Sequence, residues 1–250
     1  RFLRTGTQAV VFQQTGQALP ALAPLESTFL VGNTDSAPKR LSVLVHDADF
    51  TDLHVCTFWV PASQPPTPYA VRTHTTKAWT NATVSFYAAT ANAAGNTTGR
   101  YIVDDVTLRY ETSAPIETAC TDPNAPTPPG GTAGSDLVNN GSFGSGLAPW
   151  TTFGQITGAV NAGVFEFVRT AGTPAGVVLQ ATGTAIPANE ILTTTLQLGN
   201  SSAVRKRVTV ILHDNDFSDL SACTFWLAPG QALSTYTYRS YTTQAWTNAT

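Results

Sequence analysis

The sequence predicts an all-β chain that holds two copies of one β-sandwich module in tandem, and three observations carry this. First, residues 20–83 align with residues 187–250 without a gap at a constant offset of 167, and 30 of the 64 positions are identical. Second, each copy is written in short alternating apolar runs separated by turn residues, the pattern of a sandwich or barrel. Third, no long stretch carries a 3.6-residue apolar period, and Thr, Ala, Gly and Val dominate where a helical protein would draw on Leu, Glu, Lys and Arg.

The repeat divides the chain into three zones. Residues 1–110 form copy one, residues 111–135 a Pro/Thr/Gly-rich linker (ETSAPIETACTDPNAPTPPGGTAGS), and residues 136–250 copy two. The two densest blocks are HDADFTDLHVCTFW at 46–59 against HDNDFSDLSACTFW at 213–226, and TTKAWTNAT at 75–83 against TTQAWTNAT at 242–250. Copy one is expected to begin inside a module and copy two to stop inside one. The opening strands of the first and the closing strands of the second would then be missing. On that basis the opening of copy two, near 138–143, is expected to pair with the close of copy one, near 101–108, across the linker or between chains.

Taken in order, the elements follow from periodicity. Residues 191–198 (ILTTTLQL) alternate between two faces, and 207–213 (RVTVILH) is apolar enough for a central strand. Residues 214–219 read as a polar turn. Residues 220–227 resume as a strand, with Cys223, Phe225 and Leu227 on one face and Ala222, Thr224 and Trp226 on the other. Another strand is expected at 236–241, and Trp246 leads into the next. In copy one that next strand is 82–88, with Val84 and Phe86 inward, and the last is 101–110.

Composition bounds the function. Only 12% of residues are charged and the net charge is −3, which offers no basic face to nucleic acid. No apolar run is long enough to span a bilayer as a helix. The three cysteines contain no Cys-x-x-Cys spacing. Cys56 and Cys223 occupy the same place in the two copies, and Cys120 follows copy one. One reading joins Cys56 to Cys120 in a disulfide within each full module, leaving Cys223 without its counterpart. The other makes Cys56 and Cys223 small buried thiols.

The opening Asn140-Gly141-Ser142-Phe143, the Gly-rich residues before Trp150 and the close YIVDDVTL at 101–108 resemble the two ends of carbohydrate-binding modules of the family 4, 9 and 22 type. A middle strand entered through Trp79 or Trp246 is also similar to that group. The resemblance implies a galactose-binding-domain-like jelly roll, secreted or at the cell surface. The HDxDFxDLxxCTFW core is similar to an uncharacterised repeat of large bacterial surface proteins. In the carbohydrate-binding modules a Glu after the opening Phe stands near a structural calcium ion with an Asp of the closing strand. Gly144 stands at that Glu position here, so the resemblance leaves Asp104 as the one candidate calcium ligand, and no other cofactor is expected.

Asp47, Asp49 and Asp52, with Asp214, Asp216 and Asp219 in copy two, form the main acidic cluster. It reads either as a calcium loop or as a solvated turn whose Asp side chains cap backbone amides. His46 and His213 end an apolar strand with no nucleophile marked beside them, so they read as hydrogen-bonded structural histidines. Sugar rings stack their C–H faces on aromatic rings while their hydroxyls take polar side chains. Trp59, Tyr69 and Arg72 in copy one, and Trp226, Tyr236, Arg239 and Tyr241 in copy two, are therefore the candidate glycan-binding residues. The alternative places the tryptophans in the core. Two functions remain: a non-catalytic polysaccharide- or glycan-binding module, and a structural spacer or adhesin repeat that binds only neighbouring repeats.

Overall fold

The computed structural model describes residues 1–4, 9–88, 99–111, 120–121, 134–170 and 176–250. Every regular element among them is a β-strand, and every pairing is antiparallel. The first repeat contributes β1 (Phe2–Arg4), β2 (Val10–Gln14), β3 (Pro24–Asn33), β4 (Lys39–Asp47), β5 (Leu53–Val60), β6 (Thr67–His74), β7 (Ala82–Tyr87) and β8 (Gly99–Tyr110). β9 (Cys120–Thr121) follows. The second repeat contributes β10 (Thr151–Gly154), β11 (Ile156–Asn161), β12 (Val164–Arg169), β13 (Gly176–Leu179), β14 (Ile191–Leu198), β15 (Lys206–His213), β16 (Leu220–Leu227) and β17 (Ser234–Tyr241). No helix here is long and apolar enough to cross a membrane.

Two larger sheets organise the chain. One runs β1-β8-β3-β6-β9, and the other runs β15-β16-β5-β4-β7-β2, so the second sheet contains strands of both repeats. Alternation along β5 shows how the layers meet. His54, Cys56, Phe58 and Val60 are buried, while Leu53, Val55, Thr57 and Trp59 are half-buried on the other face. Phe29 on β3 meets Phe58 edge-on at 5.9 Å and Phe86 at 5.2 Å, and Phe58 meets Tyr69 on β6 at 4.9 Å. Aromatic rings from both sheets thus interlock in one core, a sandwich-like packing. In the second repeat the buried apolar groups are smaller: Ile186, Trp246 and Ala249 in one cluster, Cys223, Phe225 and Tyr238 in another.

Strands 191–198 and 220–227 lie where the alternation predicts them. Two expectations meet a different structure. Residues 138–143 form a loop, and β8 takes β1 and β3 as its neighbours. The cause is local: Asn140 and Phe143 adopt positive φ, and the Asn140 side chain donates to the carbonyls of Gly146 and Ala148, which curls the chain back on itself. Within the Pro/Thr/Gly-rich segment, Cys120 and Thr121 extend as β9 opposite Val71 and Ala70 of β6. Residues 112–119 and 122–133 of that segment lie outside the described residues.

Phe58 is fully buried and touches both sheets, so Phe58→Ala should cost about 3–5 kcal/mol of unfolding free energy. Phe12, 61% exposed on β2, should tolerate Ala within about 0.5 kcal/mol. Urea denaturation of the two variants against the parent chain measures both.

Candidate functional site

The acidic turn is a buried anchor in both repeats. Asp47 Oδ1 accepts from the backbone amides of Ala48, Thr80 and Asn81 and from the Thr80 hydroxyl, at 2.9–3.1 Å. Asp52 Oδ2 accepts from the Thr76 amide at 2.6 Å and from Trp79 Nε1 at 2.7 Å. The second repeat reproduces this. Asp214 takes Asn215, Thr247 and Asn248, while Asp219 takes the Thr243 amide and Trp246 Nε1. This explains why the two dense sequence blocks recur together: one supplies the carboxylates and the other the donors. Burial pushes the Asp47 and Asp214 carboxyls up, yet these hydrogen bonds outweigh it and hold both below the ordinary carboxylate value. Asp49 and its equivalent Asp216 keep the exposed turn expected of the cluster. His46 is structural, with Nδ1 on the Asp47 carbonyl and Nε2 on Ser85 Oγ.

The second oxygen of Asp52 and of Asp219 reaches into the other repeat, with Asp219 Oδ1 also accepting from Thr243 Oγ1. Arg207 donates to Asp52 Oδ1 at 2.8 Å, and Arg40 forms an ion pair with Asp219 Oδ1. Residues 40 and 207 are equivalent in the repeat, as are 52 and 219, so one contact is made twice with the roles exchanged. The rest of the junction obeys the same rule. The Val55 amide donates to Thr224 Oγ1 at 3.4 Å, and the Ala222 amide to Thr57 Oγ1 at 3.1 Å. Trp59 stacks on Tyr241 at 4.4 Å, and Trp226 meets His74 edge-on at 5.4 Å. At the centre β5 and β16 pair antiparallel, with Cys56 opposite Cys223, its own equivalent. Contacts that map onto themselves under exchange of partners define an isologous interface, here about a local two-fold axis between two repeats of one chain.

The three cysteines meet at that centre. Cys56 on β5 is joined by a disulfide to Cys120 on β9, with Cα atoms 5.6 Å apart, so the bond ties one sheet to the other. It closes a loop of 64 residues, for which chain entropy gives about 4 kcal/mol of stabilisation. Cys223 is a free thiol whose Sγ lies 3.3 Å from Cys120 Sγ. His54 Nε2 lies 3.7 Å from Cys56 Sγ, and burial lowers the His54 imidazole to about 3. His54, Cys56 and Cys120 are the one set of three metal-donor residues brought together among the described residues, and two of them are committed to the disulfide.

The glycan candidates scatter. Tyr69 is 2% exposed and accepts from Gln64 Nε2 within the core. Trp226 is likewise 2% exposed. Its face is the one opposite Phe225, as the alternation says, but His74 and Arg207 cover it. Arg72 pairs with Glu26 at 2.9 Å on the β3–β6 face. Tyr236 accepts from Gln231 Nε2 and packs edge-on against Phe225. Trp59 and Arg239 do converge, at a shallow cleft in the junction with Arg40 and Thr57, and Tyr241 stacks on Trp59. Asp104 is exposed and belongs to no group of three metal-donor residues among the described residues. Arg40, Arg207, Asp52 and Asp219 hold the junction without having been singled out for it. Their available signal was identity between the repeats.

No family model matches the chain, and no curated protein matches it.

Two outcomes follow. Arg40→Met leaves the buried Asp219 without its cation and should cost about 3–5 kcal/mol. Arg207→Met should cost less, because the Arg207 side chain is 24% exposed. Urea denaturation of both variants measures the difference. The second outcome concerns acid. His54 at about 3 and His74 at about 4 both lie below the unfolded value near 6.5, mainly through burial. Below pH 6.5 the unfolded chain binds protons that the folded chain refuses. Stability should therefore be full above pH 6.5 and fall on acidification toward pH 4 and then 3, with His54 contributing up to about 1.4 kcal/mol per pH unit. His54→Leu should flatten that slope in urea titrations run between pH 8 and pH 4.

Proposed function

We propose that this chain is a non-catalytic structural repeat of a secreted or cell-surface protein, made of tandem jelly-roll modules that bind one another edge to edge. The observation that carries this reading is the reciprocity of the junction. Among the described residues, the two carboxylate–guanidinium pairs with buried carboxylates, the two threonine-capped amides and the two tryptophan contacts recur in position with the repeats exchanged. A chance apposition of two edges has no reason to match in this way. The disulfide supports an oxidising compartment. The polar atoms of Asp47, Asp52 and His46 are engaged with structural partners, which supports a role without catalysis.

A second reading keeps the carbohydrate-binding resemblance, and one observation favours it. Trp59 and Arg239 line the same cleft and Tyr241 stacks on Trp59, with Trp59 and Tyr241 half-buried and Arg239 exposed. The cleft encloses only about 10 Å³, far below the roughly 300–1,000 Å³ usual for small-molecule sites, so a sugar ring would have to rest on its surface.

Reversing both cations, Arg40→Glu with Arg207→Glu, places like charges against Asp219 and Asp52. The Val55 and Ala222 amides should then lose at least a hundredfold of their protection in hydrogen exchange, and small-angle scattering should show a more extended chain. Unchanged protection at those two amides would defeat the pairing function. A glycan array separates the second reading, since retained glycan that Trp59→Ala abolishes would establish sugar binding at the cleft.

A further inference from the structure

The junction brings three sulfurs together, and the local two-fold relates two of them. Cys56 and Cys223 occupy equivalent positions in the repeat and face one another across the β5–β16 pair. Directly opposed residues of antiparallel strands send their side chains to the same side of the sheet. Cys120, arriving on β9 at the edge of the other sheet, meets that side. Its sulfur is bonded to Cys56 and lies 3.3 Å from the thiol of Cys223, which is 7% exposed. The pairing geometry alone gives Cys120 no strong reason to prefer one partner over the other.

We propose that Cys120 has two alternative disulfide partners: Cys56, which closes the bond within the first repeat, and Cys223, which makes the junction covalent. The site is a thiol–disulfide exchange centre whose second state cross-links neighbouring repeats. It rests on the pairing reading above, because only the closed junction delivers Cys223 to Cys120. The step needs no external oxidant. The Cys223 sulfur attacks Cys120 Sγ, the 120–223 bond forms as the 56–120 bond breaks, and the proton lost by Cys223 ends on Cys56. One thiol and one disulfide stand on each side. His54 Nε2, 3.7 Å from Cys56 Sγ, sits against the sulfur that receives the proton.

Burial also sets the rate. It pushes the Cys223 thiol up to about 12, so little thiolate exists at neutral pH and unassisted exchange is slow. The 56–120 bond then persists as the resting state unless a small thiol relays the exchange.

The test is disulfide mapping by mass spectrometry on the full chain, folded in a buffer of reduced and oxidised glutathione. In Cys56→Ser the cross-linked peptide should change completely, from 56–120 to 120–223, and no thiol should be open to labelling. In Cys223→Ser only the 56–120 peptide should remain. Should Cys56→Ser fail to fold, the parent chain equilibrated in the same buffer decides, where both cross-linked peptides should appear. Cys120 labelled as a free thiol in folded Cys56→Ser, or a parent chain that never yields the 120–223 peptide, overturns the proposal. Hydrogen exchange at Val55 and Ala222 of the same samples distinguishes the failures. Protected amides without the cross-link leave the pairing intact, whereas unprotected amides mean that the pairing reading has failed as well.

Discussion

The structure hangs on one buried carboxylate used twice, Asp52 in the first repeat and Asp219 in the second. One oxygen closes its own repeat by holding the indole N–H of Trp79 or Trp246 together with the amide of Thr76 or Thr243. The other oxygen holds an arginine of the neighbouring repeat. A carboxylate removed from water is costly unless its lone pairs are filled by strong donors. At Asp52 the internal donors satisfy one oxygen and Arg207 the other, while at Asp219 the Thr243 hydroxyl shares Oδ1 with Arg40. The carboxylate that closes a repeat is therefore also the one that meets the arginine of the other repeat.

That coupling explains the form of the junction. β5 and β16 are edge strands of their own repeats, and exposed edges recruit other strands. The two edges share one register pair, Cys56 with Cys223, where a full ladder would share many. On either side the threonine hydroxyls of positions 57 and 224 accept amide protons from the opposing strand, and they also bond to Ser42 and Thr209 within their own repeats. The contact is thus a short strand crossing clamped by side chains. Its specificity lies in the spacing of Arg, Asp, Thr and Trp along the edge more than in backbone pairing, so an unrelated edge strand lacks the means to complete it.

Much of the fold was legible because a period of two is a direct consequence of the pleat. The strands at 191–198 and 220–227, and the inward placement of Val84 and Phe86, required only alternation. The junction was not legible, for a physical reason. Residues that bury against another repeat obey the same alternation as residues that face a ligand, so the pattern places Trp226 on the outer face without saying that His74 covers it. The acidic turn misled in the opposite sense. Asp between strands is ordinarily solvated, and nothing local to 47–52 announces that its donors lie at residues 76–81. Co-occurrence of the two repeated blocks was the only trace. β9 escaped because two extended residues inside a Pro/Thr/Gly-rich segment carry no period at all.

An interface that pairs a surface with its own equivalent is consumed by a single partner. Once β5 meets β16, each repeat has engaged the edge that carries its Thr and Cys, and the outer edges of the same sheet are β15 and β2. An isologous contact of this kind uses the same edge on both sides, unlike head-to-tail interfaces, which build rings or filaments. The three cysteines mark that closure chemically. Two equivalent sulfurs face one another across the axis and a third bonds to only one of them, so the sulfur chemistry breaks the symmetry that the rest of the junction keeps. That asymmetry is a local one, and it sits where a single bond decides whether the doublet is held by noncovalent contacts or by a covalent link.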